Sequence, residues 1–570
     1  MPKNIILLSD GTGNSAGKLH KTNVWRLYQA LDLIPPDKIG GPEQIAHYHD
    51  GVGSSSFKPF ALLGGAFGWG LKRSVIDLYT FVCRNYRNGD HIYAFGFSRG
   101  AFTIRVLVGL IANQGLISAD GEADLRRRTL DAFRDYRRQK YKTILRLEVI
   151  GRAIRNTLGA LKAGRVAQPE ARSHPRIRFV GVWDTVAAYG LPFDELTRAW
   201  NAVFPLSVPD RNLSDKVDRA CHAIALDDER NTFHPVLWNE AGAPAEKHIA
   251  KERITQVWFS GVHSNVGGGY ADDALANVSL HWMMKEATRE GLAFKAGQMD
   301  AVRSAGHIDG KMYDSRQGVG GAYRYLPRKM QPLLEDIDYP DNQVIIKHPK
   351  IHESVFQRMA TGAERYAPIV LPASYSVVDT DGAIHDLTPA EREFAQSRVI
   401  RQESVWNLVW GRRIVYFISV GVATLLIIFP VLFPANAACV ESLCALAWLI
   451  HGVAAVLPDF LNPWFAAYET HVSKFVILAS ALAVLLVVGG RMRTAISDRM
   501  HKIWINSPRA PPPQLDELSK FRLSEPYIKT WKITKRAILP TVVGVIALFL
   551  IVAVVTRALF GFSESAGWVC

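Results

Sequence analysis

Cysteine is scarce in this sequence, and metal-binding spacings are absent. Five cysteines occur among 570 residues, and the two in the first 400, Cys83 and Cys221, lie far apart. We therefore expect both to be free thiols in a reducing compartment. Without a His-x-x-x-His, Cys-x-x-Cys or Asp-x-His motif, metal-dependent hydrolysis has no support, and we expect no cofactor.

The first residues also lack the hydrophobic core of a signal peptide, since the apolar stretch ends two residues before Asp10. We expect this part of the chain to stay on the side of the membrane where it is made. Long apolar runs are concentrated after Arg413. The sequence predicts a soluble catalytic head, residues 1–400, followed by a membrane region, residues 401–570.

Three apolar segments have about the length that a bilayer requires: Ile414–Phe433, Phe475–Gly490 and Ile538–Thr556. A fourth segment, Leu443–Leu457, is shorter and ends at Pro458-Asp459. We prefer three crossings to four, with the fourth segment re-entrant or on the outer surface.

Charge supports this preference. Residues 434–473 contain no Lys or Arg, whereas residues 491–537 contain eleven against four acids. Basic loops favour the cytoplasmic side, and three crossings place both the head and the basic loop there. We expect an integral protein of the bacterial inner membrane with a cytoplasmic head. Cys439 and Cys444 would then lie on the oxidising side, as a disulfide or as two free cysteines.

The head alternates strand and helix patterns, and each apolar run is followed by polar residues. This alternation predicts an α/β fold of the α/β-hydrolase kind, a mostly parallel sheet flanked by helices. In such sheets the chemistry lies beyond the carboxyl ends of the strands. The predicted strands are Asn4–Leu8, Gln44–His49, His91–Phe97, Ile177–Trp183 and Thr255–Val262.

One strand ends in a Gly-x-Ser-x-Gly motif formed by Gly96-Phe97-Ser98-Arg99-Gly100. A strand before the motif and a helix after it are the context of a nucleophile turn. Glycine is needed there because a Cβ would collide with the neighbouring backbone. Ser98 is the predicted nucleophile, and the alternative is an ordinary helix-capping serine.

A serine nucleophile needs a base and an acid, which follow it in the chain in this fold. His263, beside a glycine run at a strand end, is the predicted base. Asp184, which ends another strand, is favoured as the acid, and Asp227 or Asp228 remains an alternative. Four weaker candidates for the base precede the serine or lie in an apparent helix: His47, His49, His222 and His234.

An oxyanion hole requires backbone donors beside the nucleophile. The N–H group of Arg99 is one expected donor, and Gly11 or Thr12, in the loop after the first strand, is the other. Asp10 is expected to brace the corner by pairing with Arg99. The alternative for this loop is a plain Asx-type turn.

Five motifs in this order carry a family resemblance: LSDGTGN, GFSRGAF, GVWDTV, WFSGVHSNVGGGY and IHESVFQRM. Over residues 3–371 the chain resembles the α/β-hydrolase family that includes the catalytic domain of type VI secretion phospholipase effectors. The resemblance implies a Ser-Asp-His hydrolase of acyl esters, such as phospholipids, with Ser98 as nucleophile, His263 as base and Asp184 as acid.

One position departs from the family pattern. The family usually has His-Ser-Asp-Val-Gly-Gly, and this chain has Asn265 in place of the Asp. If that position tunes the base or holds an ion, activity would be reduced, whereas a turn cap is served equally well by Asn. A membrane tail with a basic inward loop also fits a resident membrane enzyme better than an exported toxin.

A basic insertion follows the nucleophile helix. Residues 126–165 contain thirteen Lys or Arg and three acids, spaced as in an amphipathic helix. We expect a helical cap at about residues 120–170 that contacts an anionic lipid surface, with a solvated helix beside the sheet as the alternative. Nucleic acid is not expected as a partner, because no binding motif accompanies the charge.

Two other functions are alternatives to a membrane-anchored serine phospholipase or lipase. A haloacid-dehalogenase-type phosphatase would need a nucleophilic Asp at the position of Leu8, so this reading fails. A non-catalytic membrane scaffold or transport accessory that retains a hydrolase-like head remains the alternative.

Overall fold

The structure is a computed structural model of the full chain. It describes residues 2–11, 14–15, 17–33, 42–51, 65–140, 173–186, 211–228, 230, 234–315, 330–336, 343–436, 438–506 and 514–534.

A nine-stranded, mostly parallel sheet forms the centre of the head. Its strand order is β11-β10-β9-β6-β5-β4-β3-β1-β2, and the pairing of β10 with β11 is antiparallel. A separate antiparallel pair joins β7 and β8. The strands are β1 Asn4–Ser9, β2 Gln44–His49, β3 His91–Phe97, β4 Ile177–Trp183, β5 Val217–Ala225, β6 Ile254–Phe259, β7 Glu335–Asp336, β8 Val344–Ile345, β9 Lys350–His352, β10 Ser376–Val378 and β11 Ile384–Asp386.

Helices cover both faces of the sheet. Those of the described chain are α1 Asn23–Ala30, α2 Gly65–Asn85, α3 Arg99–Gln114, α4 Glu122–Lys140, α5 His263–Gly267, α6 Ala274–Arg289, α7 Gln298–Ala305, α8 Gln331–Leu334, α9 Glu353–Thr361, α10 Pro389–Ile427, α11 Phe429–Leu432, α12 Ala447–Ala454, α13 Asn462–Thr470, α14 Val472–Asn506, α15 Glu517–Leu523 and α16 Glu525–Ile533.

Strand β1 shows how the two layers are made. All six of its residues are buried. Ile5 and Leu7 pack with α2, α3 and α4 on one face, while Ile6 and Leu8 pack with α1 and α6 on the other. A continuous apolar run is typical of a parallel strand covered on both sides. The predicted α/β fold with a mostly parallel sheet is confirmed.

Strand β5 corrects one expectation. The sequence pattern predicts a helix around His222 and His234, but His222 lies inside β5 and His234 lies in an irregular segment. The alanine-rich sequence of β5 resembles a helix, since alanine has the highest helix propensity. Pairing with β4 and β6 on both sides overrides that local preference.

The described part of the basic insertion, residues 126–140, packs on the sheet layer. Within α4, Ala132, Phe133 and Tyr136 are buried in the same apolar cluster as α2 and α3. This packing agrees with the alternative of a solvated helix beside the sheet. Residues 141–172, the other part of the predicted cap, lie outside the described residues.

Among the described residues, two helices are long and apolar enough to cross a bilayer, α10 and α14. They contain most of the predicted spans Ile414–Phe433 and Phe475–Gly490. The predicted span Ile538–Thr556 lies outside the described residues, and the short fourth segment contains α12.

The described cysteines fall into two classes. In the loop between the apolar helices, Cys439 and Cys444 form a disulfide. In the head, Cys221 is a buried free thiol and Cys83 is a half-buried one, as expected for a reducing compartment.

Helix α10 is continuous from the head into the apolar window. In the head, the buried Arg398 donates to the carbonyls of Leu371 and Pro372. Its guanidinium also lies 4.9 Å from the Trp504 ring of α14. The two long helices are therefore fixed to the head at the end opposite their apolar windows, and the expected domain boundary at residues 400 and 401 falls inside α10.

A glycine in the serine turn tests the packing of β1 against α3. A Cβ added to Gly100 would lie 2.1 Å from the carbonyl oxygen of Ser9 and 2.4 Å from that of Asp10. We expect Gly100→Ala to destabilise the head by about 3 kcal/mol or more, measured as thermal unfolding in detergent. Gly121→Ala is the matched control, because nothing lies within 4 Å of its added Cβ; equal melting of the two variants would contradict the prediction.

Candidate active site

The serine lies on a strained corner between β3 and α3. Ser98 has φ 58° and ψ −124°, a conformation that non-glycine residues seldom adopt. A Cβ on Gly96 would approach the backbone nitrogen of Ala101 to 2.7 Å, so the tight turn requires glycine there. Strain of this kind persists only where the surroundings enforce it, and it is concentrated at functional sites.

The imidazole of His263 faces this serine. His263 is the first residue of α5, shortly after β6, and its Nε2 lies 2.8 Å from Ser98 Oγ. The ring of Phe97 packs beside it, with the ring centroids 4.7 Å apart. Both hydrogen-bonded residues are only 7% exposed, so water has little access to the contact.

The carboxylate of Asp184 holds the other side of the imidazole. Asp184 follows β4 with φ 35°, and its Oδ2 lies 2.5 Å from His263 Nδ1. Its Oδ1 accepts the N–H of Ala225 at 3.0 Å. With the Nδ1 proton directed at Asp184, Nε2 accepts the proton of the Ser98 hydroxyl. The structure thus brings the three predicted side chains into one hydrogen-bonded chain at the carboxyl edge of the sheet.

The two alternative acids hold the histidine segment instead of the imidazole. Asp227 Oδ2 accepts the N–H of Gly261 at 2.6 Å. Asp228 Oδ2 accepts the backbone N–H of His263 at 3.1 Å and also pairs with Arg230. Of the three candidates, Asp184 alone has a described contact with the ring.

The buried carboxylate of Asp10 ties the first loop to two other elements. It accepts hydrogen bonds from the Gly11 amide at 2.6 Å, the Thr22 hydroxyl at 2.6 Å and the Tyr48 hydroxyl at 2.7 Å. Burial raises the pKa of Asp10, and these three hydrogen bonds oppose the rise. The expected pair with Arg99 is not among the described contacts.

The candidate oxyanion donors differ in their position and in whether their amide is already hydrogen-bonded. A Cβ on Gly11 would lie 3.2 Å from Ser98 Cβ, so this loop does pass over the nucleophile. The Gly11 amide, however, already donates to Asp10. Arg99 begins α3 directly after the serine, where helix amides are available to an anion. Thr12 lies outside the described residues.

Asn265 acts as a tie between two segments. The side chain is buried, its Nδ2 donates to the carbonyl of Lys311 at 3.0 Å, and its Oδ1 accepts the N–H of Tyr313 at 3.3 Å. An Asp at this position could accept but could not donate to Lys311. The geometry agrees with a structural cap two residues from His263.

A second histidine, His222, supports the acid. The sequence predicts it only as a weak candidate for the base. His222 Nε2 accepts the backbone N–H of Thr185 at 3.1 Å, next to the strained Asp184. Burial lowers the pKa of His222 to about 3, so the ring is neutral and able to accept. Its position inside a buried strand is the signal that could have indicated this role.

The described residues contain no candidate site for a catalytic metal ion. Across those residues, no group of three or more His, Cys, Asp or Glu side chains is placed to hold an ion. The charged and polar groups around Ser98 are instead used in hydrogen bonds to one another.

Comparison with known proteins shows which family this part of the chain matches. Residues 3–286 match the model of the type VI secretion phospholipase effector family, Tle1-like, catalytic domain. An uncharacterized protein of Saccharomyces cerevisiae is 30% identical over 245 residues, which is 40% of this chain and 32% of the yeast protein. The match therefore spans about a third of that relative's length.

A solved structure of an uncharacterized protein from Pseudomonas aeruginosa is also similar to this chain. The two are 14% identical with a TM-score of 0.31, over 86% of this chain and 63% of the other.

The neutral His222 predicts a loss of stability in acid. Because its pKa is about 3 when folded and near 6.5 when unfolded, unfolding takes up a proton as the pH falls below about 6.5. His222→Gln should make the free energy of urea unfolding less dependent on pH between 6 and 4, by roughly 1.4 kcal/mol per unit. The exposed His20→Gln is the control; identical slopes for His222→Gln and wild type would contradict the prediction.

Proposed function

Because residues 3–286 belong to the family of the Tle1-like catalytic domain of type VI secretion phospholipase effectors, we propose that this chain is a membrane-anchored serine hydrolase. Its substrate class is carboxylic acyl esters, with phospholipids as the best candidates. Family membership supports the lipase or phospholipase class. The serine mechanism rests on the site geometry.

The mechanism assigns one role to each side chain. His263 Nε2 takes the hydroxyl proton while Ser98 Oγ attacks the ester carbonyl, and Asp184 stabilises the imidazolium that forms. Collapse of the tetrahedral intermediate breaks the bond to the alcohol, which leaves with the proton from His263. Water then attacks the acyl-enzyme with the same base and releases the fatty acid and Ser98.

Stabilisation of the oxyanion is assigned to backbone amides. The N–H of Arg99 is one donor, and the loop after β1 supplies the second. Since the Gly11 amide is bonded to Asp10, Thr12 is the stronger candidate within this loop.

A single observation carries the proposal, the unbroken chain from Ser98 through His263 to Asp184 with contacts of 2.8 and 2.5 Å. A serine that merely caps a helix would need neither a buried imidazole nor a strained backbone. Its side chain in fact makes no capping bond to α3. This combination also favours an enzyme over the scaffold alternative.

We assign the anchor to α10 and α14, with a third span at residues 538–556, a head of residues 1–400 and a membrane region of residues 401–570. The head and the basic segment 491–537 would face the cytoplasm. The loop with the Cys439–Cys444 disulfide would then face the oxidising side of the membrane, where disulfides form and persist.

Loss of the nucleophile gives the primary test. We expect wild-type protein in detergent to react with a fluorophosphonate probe and Ser98→Ala not to react, because no other group would form the adduct. Ser98→Ala should also reduce hydrolysis of phospholipid vesicles by about a thousandfold or more. The exposed Ser118→Ala is the matched control. Unreactive wild type would favour the scaffold.

The acid can be tested separately. Asp184→Asn should lower kcat for a soluble ester by about a thousandfold to ten-thousandfold, because the imidazolium loses its charge partner and the tautomer is wrong. Asp227→Asn should cost less than about tenfold, since its oxygen can still accept from Gly261. Comparable losses in the two variants, at equal thermal stability, would reject Asp184 as the acid.

A further inference from the structure

We propose that the head-side end of α14, residues 491–506, positions the catalytic histidine. Two ion pairs of this helix fix the two loops that hold the segment 261–265, so hydrolysis depends on α14 being docked on the head. The proposal rests on the function assigned above. It makes Arg493 and Asp498 positioning residues, since neither touches the serine, the histidine or the acid.

The first contact is a salt bridge to a buried carboxylate. Arg493 lies 2.9 Å from Asp314 Oδ2, and the Asp314 side chain is 5% exposed. Removing the partner of a buried charge is costly, because the charge keeps its desolvation penalty without the compensating attraction. The position of the loop around Asp314 therefore depends on Arg493.

This loop is bonded directly to the histidine segment. Tyr313, next to Asp314, stacks on Tyr270 with the ring centroids 4.1 Å apart. The backbone N–H of Tyr313 donates to Asn265 Oδ1. Since Asn265 and His263 share the five-residue helix α5, a displacement of residues 311–314 is passed to the base within two residues.

The second contact holds a strained turn. Asp498 pairs with Arg365 at 2.6 Å, and the Ser497 hydroxyl donates to the Arg365 carbonyl at 3.3 Å. Glu364 and Arg365 have φ of 51° and 52°, which non-glycine residues seldom adopt. Two adjacent residues in this region need external support, which α14 supplies at Arg365 and the buried Arg358 supplies at Glu364.

Two hydrogen bonds lead from this turn towards the base. Glu364 Oε2 accepts the N–H of Met312 at 3.1 Å, which returns to the loop of the first contact. Tyr366 donates its hydroxyl to Asp227 Oδ2 at 2.8 Å. The same oxygen accepts the N–H of Gly261, two residues before His263.

Both routes start on one helix and end on either side of His263. Helix α14 also carries an apolar window suited to a bilayer, and a continuous helix moves as a unit. A change in the tilt or depth of the span would therefore act on both ion pairs. Trp504 packs independently against Phe394 and Arg398, so loss of one ion pair leaves the helix attached.

The experiment compares full-length variants in detergent with a soluble ester and a fluorophosphonate probe. Arg493→Gln, Asp498→Arg and Arg365→Asp should each lower kcat and the labelling rate about tenfold with little change in KM, a coupling of ordinary size between sites. The charge-swapped pair Arg365→Asp with Asp498→Arg should recover most of the loss. Arg499→Gln, an exposed residue of the same helix, is the control.

Hydrogen exchange gives a readout that does not require activity. Peptides covering residues 260–267 should exchange about tenfold faster in Arg493→Gln than in wild type, while peptides of β1 and β3 remain unchanged. Faster exchange there with an unreactive wild type would reject the proposed function and retain the positioning role. Unchanged exchange and unchanged labelling in all three single variants would overturn the proposal.

Discussion

The close approach of β1 to the first turn of α3 is the constraint on which the site depends. Gly100 lies against the carbonyls of Ser9 and Asp10 with no room for a side chain. This contact forces the chain to reverse sharply after β3, which places Ser98 in its positive-φ conformation. The order of the strands in the sheet then determines which side chains lie within reach of Ser98. Strand β4, which precedes Asp184, is adjacent to β3, and β6, which precedes His263, lies two strands further.

Strand β5 lies between the acid and the base and links them. The N–H of Ala225, its last residue, holds one oxygen of Asp184, and His222 within it holds the next amide of the acid's turn. A buried polar network of this kind is stabilising only when every member finds a partner, and satisfied networks fix one geometry. The support for the acid therefore comes from a strand whose alanines favour helix and which its two neighbours keep extended.

The strands β1 to β4 and the three candidate site residues, whose side chains meet, could be picked out because their sequence signals are local. Each is an apolar run followed by a polar residue, and parallel strands bring such ends to one edge. Strand β5 was missed since its alanines favour helix until both neighbours are in place. The bonds that Asp228 and Asn265 make to residues 263, 311 and 313 could not be predicted, because these partners are backbone groups of distant segments. Strands β9 to β11 are three residues each, too short to give a period.

The long helices set the distance between the site and any membrane that they cross. Arg398 is buried in the head and Ile414 begins the apolar window, so sixteen residues of one helix, about 24 Å, separate the two. Helices α15 and α16 fill this interval, since Asn407 bonds Asp516 and Trp410 donates to Tyr527. Phe521 and Ile528 of these helices are more than half exposed. A head held by helices rather than by a flexible linker could not approach a bilayer freely, so under the proposed function a lipid substrate would have to reach the serine across this interval.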